Sequence, residues 1–238
     1  MNYNSSPPDR PTKSFDELLQ ATLQVYSSAP GPFIATAALG LIPSNLIGLA
    51  WQPPGILLSS LQLLISLVPL FIAQAALTVL TWETMEKKAN SIASNYLVAL
   101  SIAPRYVALQ TIISVVTAAA VVTVVGIPVA LILSARWALA APAIIFEQLD
   151  VMQALKRSWQ LVEGRAIKTL GIVIAFILVL LLVSLISLGI ASLLGGGVGA
   201  NIVVVSVIQA IVLPVAMIFF VLLYYDYNGS DAYSLNRD

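Results

Sequence analysis

The sequence contains no cysteine and no histidine. The first absence excludes disulfides, thiolate chemistry and cysteine metal sites, and leaves the redox compartment unreadable. The second removes the commonest general base and metal ligand. Charge is also scarce: Asp, Glu, Lys and Arg together make 9% of 238 residues and cancel to zero. A soluble domain carries about 25% charged residues, so a water-facing surface is excluded. Zero net charge argues against a nucleic-acid footprint. No cofactor or metal is expected.

Long apolar runs take the place of charge, with 59% of residues hydrophobic. The runs 33–51, 56–82, 169–194 and 202–225 each suffice for a membrane span of about 20 residues. Gln52-Pro53-Pro54-Gly55 forms a tight turn between the first two, and Trp51 and Trp82 mark the two ends of that hairpin. Residues 83–105 read as a polar segment. The stretch 106–146 stays apolar except at Gly126-Ile127-Pro128. It is either one span with an embedded tail or a hairpin of spans at 106–125 and 128–147. With the hairpin, every Lys and Arg except Arg136 falls on one side. With a single span, Lys156, Arg157, Arg165 and Lys168 would lie outside, against the positive-inside bias. Six spans are therefore expected, in a cell membrane, with both termini cytoplasmic. No signal peptide is read at the N-terminus.

Two amphipathic surface helices complete the expected all-α bundle. Ser14-Phe15-Asp16-Glu17 is a capping box. It opens a helix with Phe15, Leu18, Leu19, Leu23, Val25 and Tyr26 on one face, read as lying on the bilayer surface or as packed on the loops. Residues 150–163 form the second, capped by Asp150 and ended by Gly164. Its expected apolar face is Val151, Met152, Leu155, Trp159 and Val162. Lys156 and Arg157 lie outside that face. They are either topology determinants or contacts for anionic headgroups or a partner protein. Residues 1–13 and 227–238 read as tails around one membrane domain, 14–226. The Gly195-Gly196-Gly197 segment reads as a turn rather than a phosphate loop, because no Lys-Ser/Thr follows.

All Asp and Glu fall outside the spans, so proton-transfer chemistry has no obvious carrier there. Four polar residues on four different spans fall at nearly one depth. Counted from the outer turns at ~1.5 Å per residue, Asn45 lies about 9 Å deep, Gln62 about 10 Å, and Arg136 and Gln209 about 12 Å. Pro43, Pro69, Pro142 and Pro214 interrupt four spans and free carbonyls. The four polar residues are either interhelical glue or the lining of a cavity where Arg136 holds an anionic or zwitterionic headgroup.

Arg136-Trp137, Ala141-Pro142, Glu147, Ala154-Leu155-Lys156-Arg157-Ser158-Trp159 and Gly164 form the most recognisable part of the chain. With the opening Phe15-Asp16-Glu17-Leu18-Leu19 and the closing Leu222-Leu223-Tyr224-Tyr225-Asp226, they resemble the membrane domain of some glycerophosphoryl diester phosphodiesterases and of related stand-alone bacterial membrane proteins. The resemblance implies a multi-span bundle with no assigned reaction. In the two-part enzymes, catalysis belongs to a separate soluble barrel that uses histidine and metal-binding carboxylates, so the activity does not carry over to this sequence. The expected function is non-catalytic binding of membrane lipids or partner proteins. The alternative is a transporter or permease component.

Overall fold

The computed structural model describes residues 13–88, 91–193 and 198–229. The described residues are helical throughout, without strands. In chain order the helices are α1 (Phe15–Ser28), α2 (Pro30–Ala50), α3 (Ile56–Met85), α4 (Ile92–Val121), α5 (Gly126–Trp137), α6 (Ala140–Phe146), α7 (Val151–Val162), α8 (Ala166–Leu193) and α9 (Val198–Asn228). Six segments are long and apolar enough to cross a membrane: α2, α3, α4, α5 with α6, α8, and 202–228 within α9. The protein is a multi-pass integral membrane protein. The tail expected at 1–13 and the turn at Gly195-Gly196-Gly197 fall, apart from Lys13, outside the described residues.

The six spans close into a ring. α2 packs on α3, α3 on α4, α4 on α5, α5 on α8, α8 on α9, and α9 returns to α2. A further contact, α3 with α9, crosses the ring, and α6 sits between α3, α4 and α9. Small residues allow close approach where lipid supplies no hydrophobic drive. Ala73, Ala75, Ala76, Ala99, Ala140 and Ala143 are fully buried. At Gly40 a Cβ would stand 2.2 Å from the Ala73 Cβ and 2.9 Å from the Pro69 carbonyl oxygen, so only glycine permits this α2–α3 contact.

Several boundaries differ from the sequence reading. α4 begins at Ile92, well before the expected 106, so most of the supposed polar segment is helix. Arg105 and the charges at 83–88 masked an apolar face of Tyr96, Ala99, Ile102 and Tyr106. At 30 residues each, α3 and α4 run about 45 Å, longer than a hydrocarbon core of about 30 Å. Their surplus lies where the chain carries its charges. α9 likewise continues to Asn228, beyond the expected end at 225.

The fourth span is two helices. α5 stops at Trp137 and α6 starts at Ala140. Pro142 has no N–H to return to the Ala138 carbonyl, and its ring crowds the preceding turn. The break therefore falls four residues before the proline.

α1 does not lie free on the bilayer. Its capping box forms: the Ser14 N–H donates to Glu17 Oε2 at 2.7 Å, and the Glu17 N–H donates to Ser14 Oγ at 3.2 Å. Leu18 is fully buried, and the Phe15 ring meets Phe219 of α9 at 5.6 Å. Leu23, expected on the apolar face, is half exposed. The helix docks on the bundle because α9 presents Phe219, Leu222 and Leu223 at that height.

Candidate functional site: the charged end and the central cavity

Both described chain ends meet at one end of the bundle. The Lys13 N–H donates to Asp226 Oδ1 at 3.2 Å, and Lys168 Nζ donates to the Lys13 carbonyl. Arg165 donates to the Tyr227 carbonyl at 3.3 Å, with its guanidinium 4.9 Å from the Tyr227 ring. α7 is the keystone of this end, packed on α4, α5, α6 and α9.

The face that α7 buries is only in part the expected one: Leu155 and Val162 are buried as expected, but the helix is turned. Ala154, Leu155, Ser158, Leu161 and Val162 face inward, whereas Met152 is 62% exposed and Trp159 42% exposed. Two polar requirements turn the helix. The first is Ser158, which has no exposed surface. Its hydroxyl donates to the Arg136 carbonyl at 2.7 Å and accepts from the Leu139 N–H at 3.1 Å. Ends of helices leave carbonyls and N–H groups unpaired, and one serine satisfies one of each at the α5–α6 break. The second is Arg157, which turns inward rather than toward headgroups. Its Nε donates to both Glu147 oxygens at 2.8 and 3.0 Å, and Nη2 donates to Asn228 Oδ1 at 2.6 Å. The Tyr224 hydroxyl donates to Glu147 Oε1 at 2.7 Å. Arg105 reaches the same corner, donating to the Gln148 carbonyl at 3.4 Å.

This layer also receives Arg136. Its guanidinium stacks on the Trp159 ring at 4.7 Å, and Nη1 is buried without a hydrogen-bond partner among the described residues. Asn45 is elsewhere: its Nδ2 donates to Ser206 Oγ at 2.7 Å. Ser206 and Asn228 are separated by about 33 Å of α9. Gln62 donates to the Gly48 carbonyl at 3.3 Å, and Gln209 is exposed. The structure thus gives Asn45 and Gln62 partners of their own and ties Arg136 to α7. Counting along α5 alone carries no signal of α7, which packs on α5 and α6 beside the break. Lys156 is exposed on α7, next to the inward-turned Arg157.

In the sequence Ser158 is one position of the Ala154-Leu155-Lys156-Arg157-Ser158-Trp159 motif and nothing more. Its partners are backbone groups, which carry no residue signature. Pro142 was the available signal that a polar side chain would be needed nearby.

A cavity of about 230 Å³ lies inside the ring beside the break. α3, α4, α5, α6, α8 and α9 all contribute to it, through Thr78, Tyr106, Ser134, Pro142, Val173 and Phe220 among others. Among the described residues, no charged side chain lines it. Gln110, also in the lining, donates to Gln74 Oε1 at 2.8 Å.

The three segments that carry the family resemblance converge at the charged end: Phe15 on Phe219, Glu147 on Tyr224, and Arg157 on Asn228. No curated protein and no solved structure matches the chain. One family does, over residues 90–235, which include α4 to α9 and so the break, α7 and the charged layer. The chain belongs to the family described as the membrane domain of glycerophosphoryl diester phosphodiesterase.

Proposed function

We propose that this is a non-catalytic membrane protein that holds anionic lipid headgroups at its charged end, in a cell membrane with both termini cytoplasmic. The observation that carries the reading is Arg136. It is a cation with no acidic partner among the described residues, fixed through its own carbonyl by Ser158 and stacked on a partly exposed tryptophan. Tryptophan favours the membrane–water interface, and arginine can grip two phosphate oxygens through its planar fork. Exposed Lys156 on the same helix adds positive charge. A non-catalytic role is supported by the family match to a membrane domain and by the lack of histidine and cysteine. Glu147, which also accepts from Tyr224, is neutralised by Arg157.

The broken fourth span beside a central cavity supports a second reading, a transporter component. Against it, Ser158 already closes the break from within the chain.

Native mass spectrometry of wild type and Arg136→Gln, under conditions that retain bound lipid, tests the first reading. Loss of a co-purified anionic lipid from the folded variant is expected. Equal lipid retention by both proteins, with the variant as stable or more so, would remove Arg136 from any binding role.

A further inference from the structure

The central cavity is built for something other than an anion. Its lining combines a polar cluster with an apolar wall. Tyr106 is 1% exposed, and its hydroxyl has no hydrogen-bond partner. Thr78 beside it donates to the Gln74 carbonyl at 2.9 Å. Ala138 and Pro142 both line the cavity, and the Ala138 carbonyl lacks the donor that any residue but proline would supply at 142. Ser134 lies one turn before Ala138 on the same side of α5. Buried polar groups away from water cost free energy unless paired. The cavity therefore offers a hydroxyl donor and a spare carbonyl acceptor, which one incoming hydroxyl group satisfies together.

The opposite wall is apolar: Val173 from α8, with Met217, Phe220 and Val221 from α9. An ionised headgroup would be desolvated there with no counter-charge, at large cost. About 230 Å³ exceeds what one or two waters need, since water takes about 30 Å³ each.

We infer that this cavity is a binding site for an uncharged, single-chain amphiphile. Its hydroxyl head bonds Tyr106 and the Ala138 carbonyl, and the start of its apolar chain lies along Val173, Met217 and Phe220. The site is separate from Arg136, which is not part of the lining.

Trp137 also lines the cavity and serves as the reporter. The experiment titrates detergent-solubilised protein with a dibrominated long-chain alcohol, and in parallel with an alkyl phosphate bearing the same dibrominated chain. Bromine quenches indole fluorescence on contact. The alcohol should give a saturable component at low mole fraction that Trp137→Phe removes. The alkyl phosphate should give only quenching that rises linearly with mole fraction, from tryptophans at the lipid-facing surface. Tyr106→Phe should raise the half-saturating mole fraction about fivefold, the scale of one neutral hydrogen bond. Ser134→Leu, which fills the cavity while leaving Trp137 in place, should abolish saturation. Equal quenching by both amphiphiles, or no saturable component with the unsubstituted protein, overturns the site and leaves a cavity that holds only water. Neither result bears on lipid retention at Arg136, so the two proposals fail separately.

Discussion

Ser158 holds Arg136 by its backbone and not by its charge: the serine hydroxyl donates to the arginine carbonyl at 2.7 Å, while the guanidinium leaves for the Trp159 ring. The same hydroxyl accepts from Leu139 on the far side of the break. One side chain on α7 therefore sets the geometry of the fourth span, and through it the direction of the only cation that the sequence places inside a span.

Removing that hydroxyl leaves a buried carbonyl and a buried N–H unpaired. Ser158→Ala should lower stability by about 1–3 kcal/mol, read from unfolding of the purified protein in a denaturing-detergent titration. An unchanged midpoint would mean that water replaces the serine and that α7 does not brace the break.

The Glu147–Arg157 pair is partly shielded, with side-chain exposures of 19% and 24%. Breaking either partner leaves a charge in that setting. Glu147→Gln and Arg157→Gln should each destabilise, and the double variant should recover part of the loss. A coupling of about 1–2 kcal/mol is expected, below the range for fully buried pairs because of the remaining exposure. Additive losses would reduce the pair to a surface contact.

Gly40 permits the α2–α3 crossing. Gly40→Leu must push Ala73 and the Pro69 carbonyl aside. Overpacking of this kind costs about 1–3 kcal/mol or more. The variant should unfold earlier or fail to accumulate in the membrane, while Gly31→Leu, where a Cβ meets nothing, should behave like wild type.

Glu17 lies outside the spans, and its carboxyl is held below its ordinary value of 4.5, first by the Ser14 backbone N–H and then by the Ser14 hydroxyl. A depressed carboxylate stabilises the fold above its unfolded value, and that contribution is lost as pH falls through the folded one. The α1 cap should therefore loosen only on acidification below the ordinary carboxylate range. Hydrogen exchange of the first turn of α1 checks this, and Glu17→Gln should remove the pH dependence. Protection that is flat with pH in wild type would show that the capping box does not hold α1 in solution.

The absence of cysteine makes topology directly measurable. Lys88→Cys and Lys156→Cys, both at exposed positions of the charged end, should react only once the membrane is made permeable. Val124→Cys, at an exposed position in the α4–α5 turn, should react from outside intact cells. External labelling of Lys156→Cys would reverse the proposed orientation.

Hydropathy determined the class of this protein, because runs of about 20 apolar residues have no soluble alternative, and the distribution of Lys and Arg chose six spans over five. The α1 capping box was equally legible, since its partners lie three residues apart in the chain; of the four prolines expected to interrupt spans, only Pro142 stands at a break, and Pro43, Pro69 and Pro214 lie inside continuous helices. The charge asymmetry also held further than the sequence suggested: Arg136, its apparent exception, stacks on a residue of α7 at the charged end. Tertiary structure decided what those local rules cannot reach. It turned Arg157 inward to Glu147 and Asn228, gave Ser158 two backbone partners, and assigned Asn45 to Ser206 rather than to Arg136. In each case the deciding partner is distant in sequence or is a backbone group, and neither leaves a periodic signal. Arg136 meets α7 because α5 ends at Trp137 and α7 packs on both α5 and α6 beside the break.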